Sequence, residues 1–398
     1  MNKMIPSLSC IRCGAVVPLW DYPEGCPHCR AQGENISLEP DYEGKFVIDK
    51  SKRGMFRYTS RLPYDDFPTL GEGGTPVIEL TALSQQLGLA KLYSKNEFQN
   101  PTGSHKDRMN PFVVRRAMEV GCTTVAAAST GNEGVSLACY AAAAGMNCCI
   151  VSTDSISPIW KSAILSTGAQ LLLTDRPAER LALIDRKRKE ENWYSATNLL
   201  TPPTGSCLYG VQGYKTISYE LYEDFGRDLP EYIFVPTTRG DLLWGIYRGL
   251  QELLEAALID RFPRLVAVEP APRLERVLRG ESLHTNFACD AKLTSSIGGS
   301  TATFQSLQAL SKTNGFAVSF EQNEVMPAVL ELGGYGLYLE TASAAALCAL
   351  RKALRQGNLA QGARVLIIST SHGYKNPPQF YENESWSSKI QHVKEKAL

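Results

Sequence analysis

Lys106 follows a Gly-Ser-His turn in the stretch NPTGSHKDR (100–108), at the mouth of a segment with helical period. Exposed backbone N–H groups and the positive end of a helix dipole both loosen an ammonium's hold on its proton. An imine-forming or nucleophilic lysine requires that, although a solvated lysine near a helix start fits the same residues. Three further stretches carry chemistry. STGNEG (129–134) sits between an apolar run and a helix and clusters Ser129, Thr130, Gly131 and Asn132. Hydroxyls and amides so placed cradle a carboxylate or phosphate, or simply cap a turn. VPTTRGD (235–241) repeats the arrangement with Thr237, Thr238, Arg239 and Gly240. Arg239 adds full charge for a phosphate group, and a capped loop with a solvated arginine is the plain alternative. LIISTSHG (366–373) ends an apolar run on three hydroxyls, Thr370 among them; a polar turn would look the same.

A different chemistry is written near the start. Cys10 and Cys13 form one CxxC pair and Cys26 and Cys29 another, with twelve residues between them. Two such pairs bring four thiolates around one tetrahedral zinc ion, a closed site with no open position for water and hence a structural role. His28 is a competing ligand by type, but four cysteines already fill the shell. Some forty residues bury too little surface to fold unaided, so the expectation is a metal-stapled appendage. The other seven cysteines read as small buried hydrophobes.

These residues need a scaffold. Short apolar runs at 123–128, 147–152, 170–173, 232–235, 265–268 and 364–369 alternate with helical patterns at 113–120, 134–144, 242–256 and 343–355. That alternation predicts an α/β fold whose parallel sheets are covered on both faces. Ligands bind beyond the carboxyl ends of such strands, where the marked stretches fall. A mixed-charge linker is expected from Leu38 to Tyr58. The 398 residues allow two or three domains. Equal numbers of basic and acidic residues, 41 each, exclude a globally basic nucleic-acid binder. No apolar run approaches membrane-spanning length. The start, MNKMIPSLSC, lacks the apolar core of a signal peptide, so a cytoplasmic location is expected.

The order of these stretches resembles the pyridoxal-phosphate enzymes of the tryptophan-synthase-β fold type (fold type II), most closely the threonine synthase-like members. GEGGTP (71–76) is similar to their GEGxTP, NPTGSHKDR to NPTGSFKDR, STGN (129–132) to STGN, and TSHGYKNP (370–377) to TGHGLKDP. Lys161 with Gly168-Ala169, and ETASA (340–344), resemble further landmarks, and the cysteine ribbon also occurs in such enzymes. The resemblance implies that Lys106 holds pyridoxal 5'-phosphate as a Schiff base and moves protons. Asn132 would bond the cofactor's phenolic oxygen, and Thr237, Thr238, Arg239 and Gly240 its phosphate. Ser129, Thr130 and Gly131 would hold the substrate carboxylate. Thr370 would face the pyridine nitrogen, where a neutral hydroxyl makes a weaker electron sink and favours elimination and replacement.

It further implies a two-lobed architecture. A zinc-ribbon module covers residues 1–40, a larger cofactor-binding lobe 41–105 and 205–386, a smaller substrate-binding lobe 106–204, and a polar tail 387–398. Dimers are usual in such families, so a homodimer is implied. Three departures stand out. His105 replaces the phenylalanine before the lysine and sets a titratable ring beside the cofactor and substrate. TRGDL (238–242) stands for the phosphate loop GNxGN. Gly210 takes the place of the arginine that, in NPxRxxGxKT, meets the substrate's phosphate. The expected activity is therefore elimination or replacement on an amino acid by a divergent relative. Threonine synthase acting on O-phosphohomoserine and water stays open, as does a non-catalytic binding protein.

Overall fold

The structure is a computed structural model that describes residues 5–377. The 387–398 tail and the end of the 205–386 segment lie outside the described residues. β1 (Leu8–Cys10), β2 (Val16–Val17) and β3 (Leu38–Pro40) form an antiparallel sheet in the order β2-β1-β3. The expected linker thus begins too early, because Leu38, Glu39 and Pro40 are all buried as β3. The Glu39 carboxylate accepts from Gln212 Nε2 at 2.9 Å and from the indole N–H of Trp244. Partners so far apart in sequence leave no trace in local composition. The apolar residues of the ribbon share one continuous core with Tyr209, Tyr214 and Trp244.

β4 (Val77–Glu79) and β5 (Lys91–Lys95) come next. β6 (Thr124–Ala128), β7 (Asn147–Thr153), β8 (Gln170–Thr174) and β9 (Trp193–Ser195) then build a parallel sheet in the order β8-β7-β6-β9. β10 (Tyr232–Pro236), β11 (Arg264–Glu269), β12 (Phe316–Ser319) and β13 (Arg364–Ile368) join β4 and β5 in a six-stranded sheet. Its order is β12-β11-β10-β13-β5-β4, and only the β4–β5 pair is antiparallel. β10 is buried along its whole length, as a strand covered on both faces must be. The six strands expected from apolar runs are present, their ends within a residue of expectation. β4, β5, β9 and β12 escape that reading because they are short or polar. β5 reads KLYSK, yet Lys95 is fully buried, its Nζ 2.7 Å from Glu220.

Four strand ends open on one region. β5 leads toward Lys106, β6 into residues 129–131, β10 into 237–240 and β13 into 369–372. The helices behind them pack unusually closely. A Cβ added at Gly213 would lie 1.7 Å from the Arg108 carbonyl, and one at Gly245 2.4 Å from Tyr214 Cβ. Glycine at these two positions lets the Lys106 turn, the Gln212–Tyr214 turn and the helix Asp241–Glu255 meet. Among the described residues no helix is long and apolar enough to cross a membrane.

Candidate active site

The turn carrying Lys106 is fixed from beneath by buried charge. Arg108, fully buried, reaches Glu97 with Nε and Nη2 at 2.6 and 2.7 Å and Glu220 with Nη1 and Nη2, both at 2.7 Å. Asp107 accepts from the Thr102 N–H, the Thr102 hydroxyl and the Ser136 hydroxyl, each at 2.6 Å. Followed by two immobilised residues, Lys106 lines a cleft. There its Nζ donates to Tyr214 Oη at 3.3 Å and lies 3.6 Å from Glu133 Oε2.

That cleft collects every cofactor-site and substrate-site residue expected from the sequence. His105, Lys106, Ser129, Thr130, Gly131, Asn132, Thr237, Thr238, Arg239, Gly240 and Thr370 all line it. They are not equally free to act. Ser129 Oγ accepts the N–H groups of Gly131 and Gly134 at 3.2 and 3.0 Å, so its hydroxyl holds its own turn. Thr130 is exposed, and among the described residues no hydrogen bond occupies its hydroxyl. Thr237 spends its N–H on Val268 O at 2.8 Å and its hydroxyl on Val235 O at 2.6 Å. Thr238 Oγ1 donates to Gly298 O at 2.7 Å. The phosphate end is left with the helix N-terminus beginning at Asp241, after Gly240 in its left-handed turn, and with the Arg239 guanidinium. Arg239 has one carbonyl partner, Asn198 O at 3.2 Å, and burial lowers its affinity for its proton. Burial and then the Arg239 charge do the same to Arg180, another lining residue. A dianion at the helix start would relieve both arginines. These donors therefore fit a phosphate group, as Lys106 fits a carbonyl carbon.

At the other end, Thr370 Oγ1 and Ser343 Oγ share a hydrogen bond of 2.6 Å. His105 gives its backbone N–H to Thr370 O at 2.9 Å, with Nδ1 3.3 Å from the same oxygen. Burial, then the charge on Lys106, holds the His105 imidazole well below its usual range. The ring is therefore neutral, not a cation beside the lysine. Sequence reasoning passed over Glu133, Tyr214, Trp160, Arg180 and Asp241, and took Glu340 and Lys161 only as landmarks. Glu340 belongs to the cleft; the other landmark, Lys161, does not line it, whereas Trp160 does. Gly210 does not line it either. It is buried in the helical turn Leu208–Val211, where an added Cβ would lie 2.8 Å from both Met109 and Val113.

In the ribbon, Sγ of Cys10 lies 3.6 Å from Cys29 and that of Cys13 lies 3.8 Å from Cys26, with all four sulfurs within 4.8 Å of one another. A zinc tetrahedron with bonds of about 2.3 Å sets its sulfurs about 3.8 Å apart, so the donor set fits the metal. His28 is exposed and outside this cluster. All eleven cysteines are free thiols. Of the seven read as buried hydrophobes, Cys148, Cys149, Cys207 and Cys348 are buried, but Cys122, Cys139 and Cys289 are partly exposed.

Comparison with known proteins agrees with this geometry. Residues 68–371 match the family model described as pyridoxal-phosphate dependent enzyme. The protein belongs to that family. It is 28% identical over 385 residues to a threonine synthase of Methanocaldococcus jannaschii, covering 92% of each. It is 30% identical over 383 residues to a threonine synthase of Methanosarcina acetivorans, covering 93% of this protein and 92% of that one. Among solved structures, diaminopropionate ammonia lyase from Escherichia coli superposes with a TM-score of 0.65 at 18% identity, over 81% of this protein and 90% of that one. A fungal L-serine ammonia-lyase from Rhizomucor miehei gives 0.65 at 19%, over 82% and 100%. Those two likenesses show the fold. The family and its threonine synthase relatives make this protein a pyridoxal-phosphate-dependent lyase or synthase of fold type II.

Proposed function

We propose that this enzyme carries out elimination or replacement at the side chain of an amino acid other than O-phosphohomoserine. The observation that carries this reading is Gly210. It stands where the threonine synthase motif sets its phosphate-binding arginine, and a Cβ added there would lie 2.8 Å from the side chains of Met109 and Val113. A substrate phosphate dianion would lack that bidentate partner.

Pyridoxal phosphate, when bound, supplies withdrawal of electrons from the substrate's α-carbon. The protein's own residues do the rest. Lys106 anchors the cofactor and moves the α-proton. Asn132 offers an amide N–H to the cofactor's phenolic oxygen. Arg239 and the N–H groups at the start of the helix Asp241–Glu255 take the phosphate. The Thr370–Ser343 hydroxyl pair meets the ring nitrogen without charge, which disfavours chemistry needing a full pyridinium. Thr130 and the N–H groups beside it receive the substrate carboxylate. On this reading residues 106–204 form the substrate-side lobe, 41–105 with 205–386 the cofactor-side lobe, and the ribbon a structural zinc module.

A panel of amino acids and their O-phospho and O-acyl derivatives, added to holoenzyme and followed by cofactor absorbance, tests the reading. Spectral change and turnover with unphosphorylated amino acids are expected. Turnover confined to O-phosphohomoserine would overturn it.

A further inference from the structure

Glu133 is out of place in a cradle for anions. It occupies the first turn of the helix Asn132–Ala143, directly after Asn132, and is one of the residues lining the cleft. Oε2 is shielded from solvent, accepts no hydrogen bond from the described residues and lies 3.6 Å from Lys106 Nζ. Oε1 is held by Asn110. With its amide oriented so that both ends find partners, Asn110 donates to that oxygen at 3.0 Å and accepts from Leu137 N at 3.2 Å. One carboxylate oxygen is thus fixed and the other faces the reacting lysine.

The groups around Glu133 work in opposite directions. Lys106 from the preceding loop favours its anion, and Asp241 from the phosphate-side loop opposes it. Arg239 and Tyr214 also feel the Glu133 charge. Burial is the largest influence and pushes the Glu133 carboxyl up. A carboxyl raised in this way gives and takes protons nearer neutrality than a solvated one.

We propose that Glu133 is the proton donor to the substrate's leaving group, so that the substrate class is amino acids bearing a side-chain hydroxyl or amine at the bond that breaks. This rests on the elimination or replacement reading above. Phosphate and acetate leave as stable anions; a carboxylate beside them repels, and they need no proton. Hydroxide and amide ions are poor leaving groups, and a positioned acid removes that barrier. The protons balance. Lys106 takes the α-proton, and the bond from carbon to the departing oxygen or nitrogen breaks with its electron pair going to that heteroatom. The heteroatom takes the Glu133 proton and departs as water or an amine. Lys106, 3.6 Å away, then passes its proton to Glu133, so the net loss is the α-proton with the leaving group. In replacement, the incoming nucleophile gives its proton to the Glu133 carboxylate as it bonds to carbon, and Lys106 returns the α-proton.

The test compares wild-type holoenzyme with Glu133→Gln on L-serine and 2,3-diaminopropionate and on O-acetyl-L-serine and O-phospho-L-serine. The variant should lose about 100-fold or more in kcat on the first two, with little loss or a gain on the second two. Equal rates of wild type and variant on the hydroxyl and amine substrates would overturn the proposal while leaving the broader reading intact. Turnover of O-phosphohomoserine alone would instead remove the reading on which it rests. A readout independent of turnover is infrared titration of the cofactor-free proteins. A protonated-carboxyl band persisting above the ordinary carboxylate range in wild type and missing in Glu133→Gln is expected. No difference between the two spectra would also overturn the assignment.

Discussion

Asn132 donates from Nδ2 to Glu340 Oε2 at 2.7 Å, a bond between residues 208 positions apart. Asn132 Oδ1 accepts from Ser371 Oγ at 2.9 Å, and Glu340 Oε1 accepts from Ser296 Oγ at 2.8 Å. An amide nitrogen has two N–H groups. Glu340 takes one and thereby aims the other, which is how a flexible amide becomes a preset donor.

The first prediction follows from that bond. Glu340→Gln offers Asn132 an amide in place of a carboxylate acceptor, so the orientation of both side chains loses its preference. A hydrogen bond to a charged group contributes about 1.5–3 kcal/mol. Pyridoxal phosphate should therefore bind the variant about 10-fold or more weakly, with a displaced absorbance maximum, in spectroscopic titration. Unchanged binding and spectrum would show that Asn132 needs no such aiming.

Arg108 leads to the second. Its guanidinium is enclosed by Glu97 and Glu220, with Lys95 completing the cluster through Glu220. Arg108→Met leaves buried carboxylates without their partner. Breaking a buried pair in this way costs about 3–5 kcal/mol. Urea denaturation should show a loss of that size, and cofactor binding should weaken with it because Lys106 sits on the same turn. A variant as stable as wild type would mean the cluster relaxes to water.

How much of this was written locally explains what could be read in advance. Asn132, Arg239 and Thr370 lie in short contiguous stretches at the ends of apolar strands, and Lys106 follows a Gly-Ser-His turn before a helical segment, so residue type and position point the same way. Five of the six expected strands were visible for the same reason, since covering both faces demands unbroken apolar runs; the sixth, β8, is an apolar run on a sheet edge with no buried residue. Pairings between distant stretches were not visible. Asn132 with Glu340, Tyr214 with Lys106, and Glu39 with Trp244 join segments that carry no mark of each other. Ser129 and Thr237 have suitable hydroxyls, but each is taken up by nearby backbone. Glu133 did have a signal, an acid inside a loop otherwise suited to anions, yet it reads equally as a carboxylate favouring a helix N-terminus.

His105 gives a prediction about pH. Its folded value lies well below the 6.5 of an ordinary histidine, through burial first and the Lys106 charge second. As pH falls through about 6.5 the unfolded state takes up a proton that the folded state refuses, so stability present above that pH is lost below it. The contribution approaches about 1.4 kcal/mol per pH unit until the folded value is reached. His105→Phe removes it. Urea unfolding at about pH 7.5 and about pH 5.5 should therefore show a smaller acid-side loss in the variant than in wild type. Equal losses would mean that His105 is protonated in the folded protein.

The ribbon supplies the last prediction. Its four sulfurs lie within 4.8 Å of one another, two pairs of them 3.6 and 3.8 Å apart, and its apolar residues are continuous with the body's core. Asp21, in the turn between the cysteine pairs, takes two bonds from Arg116 at 2.9 Å and one from Tyr194 at 2.8 Å. Metal loss should therefore loosen contacts well beyond the ribbon. Metal analysis should find one zinc per protein molecule, absent from Cys10→Ser. Zinc binding reaches about 10–16 kcal/mol in isolated zinc-finger peptides, so the substitution should lower the thermal midpoint clearly. The cleft residues are not ligands, so Lys106 should still bind the cofactor below that midpoint. Metal-free protein with an unchanged midpoint would show that packing against Tyr209 and Trp244 holds the ribbon without a metal.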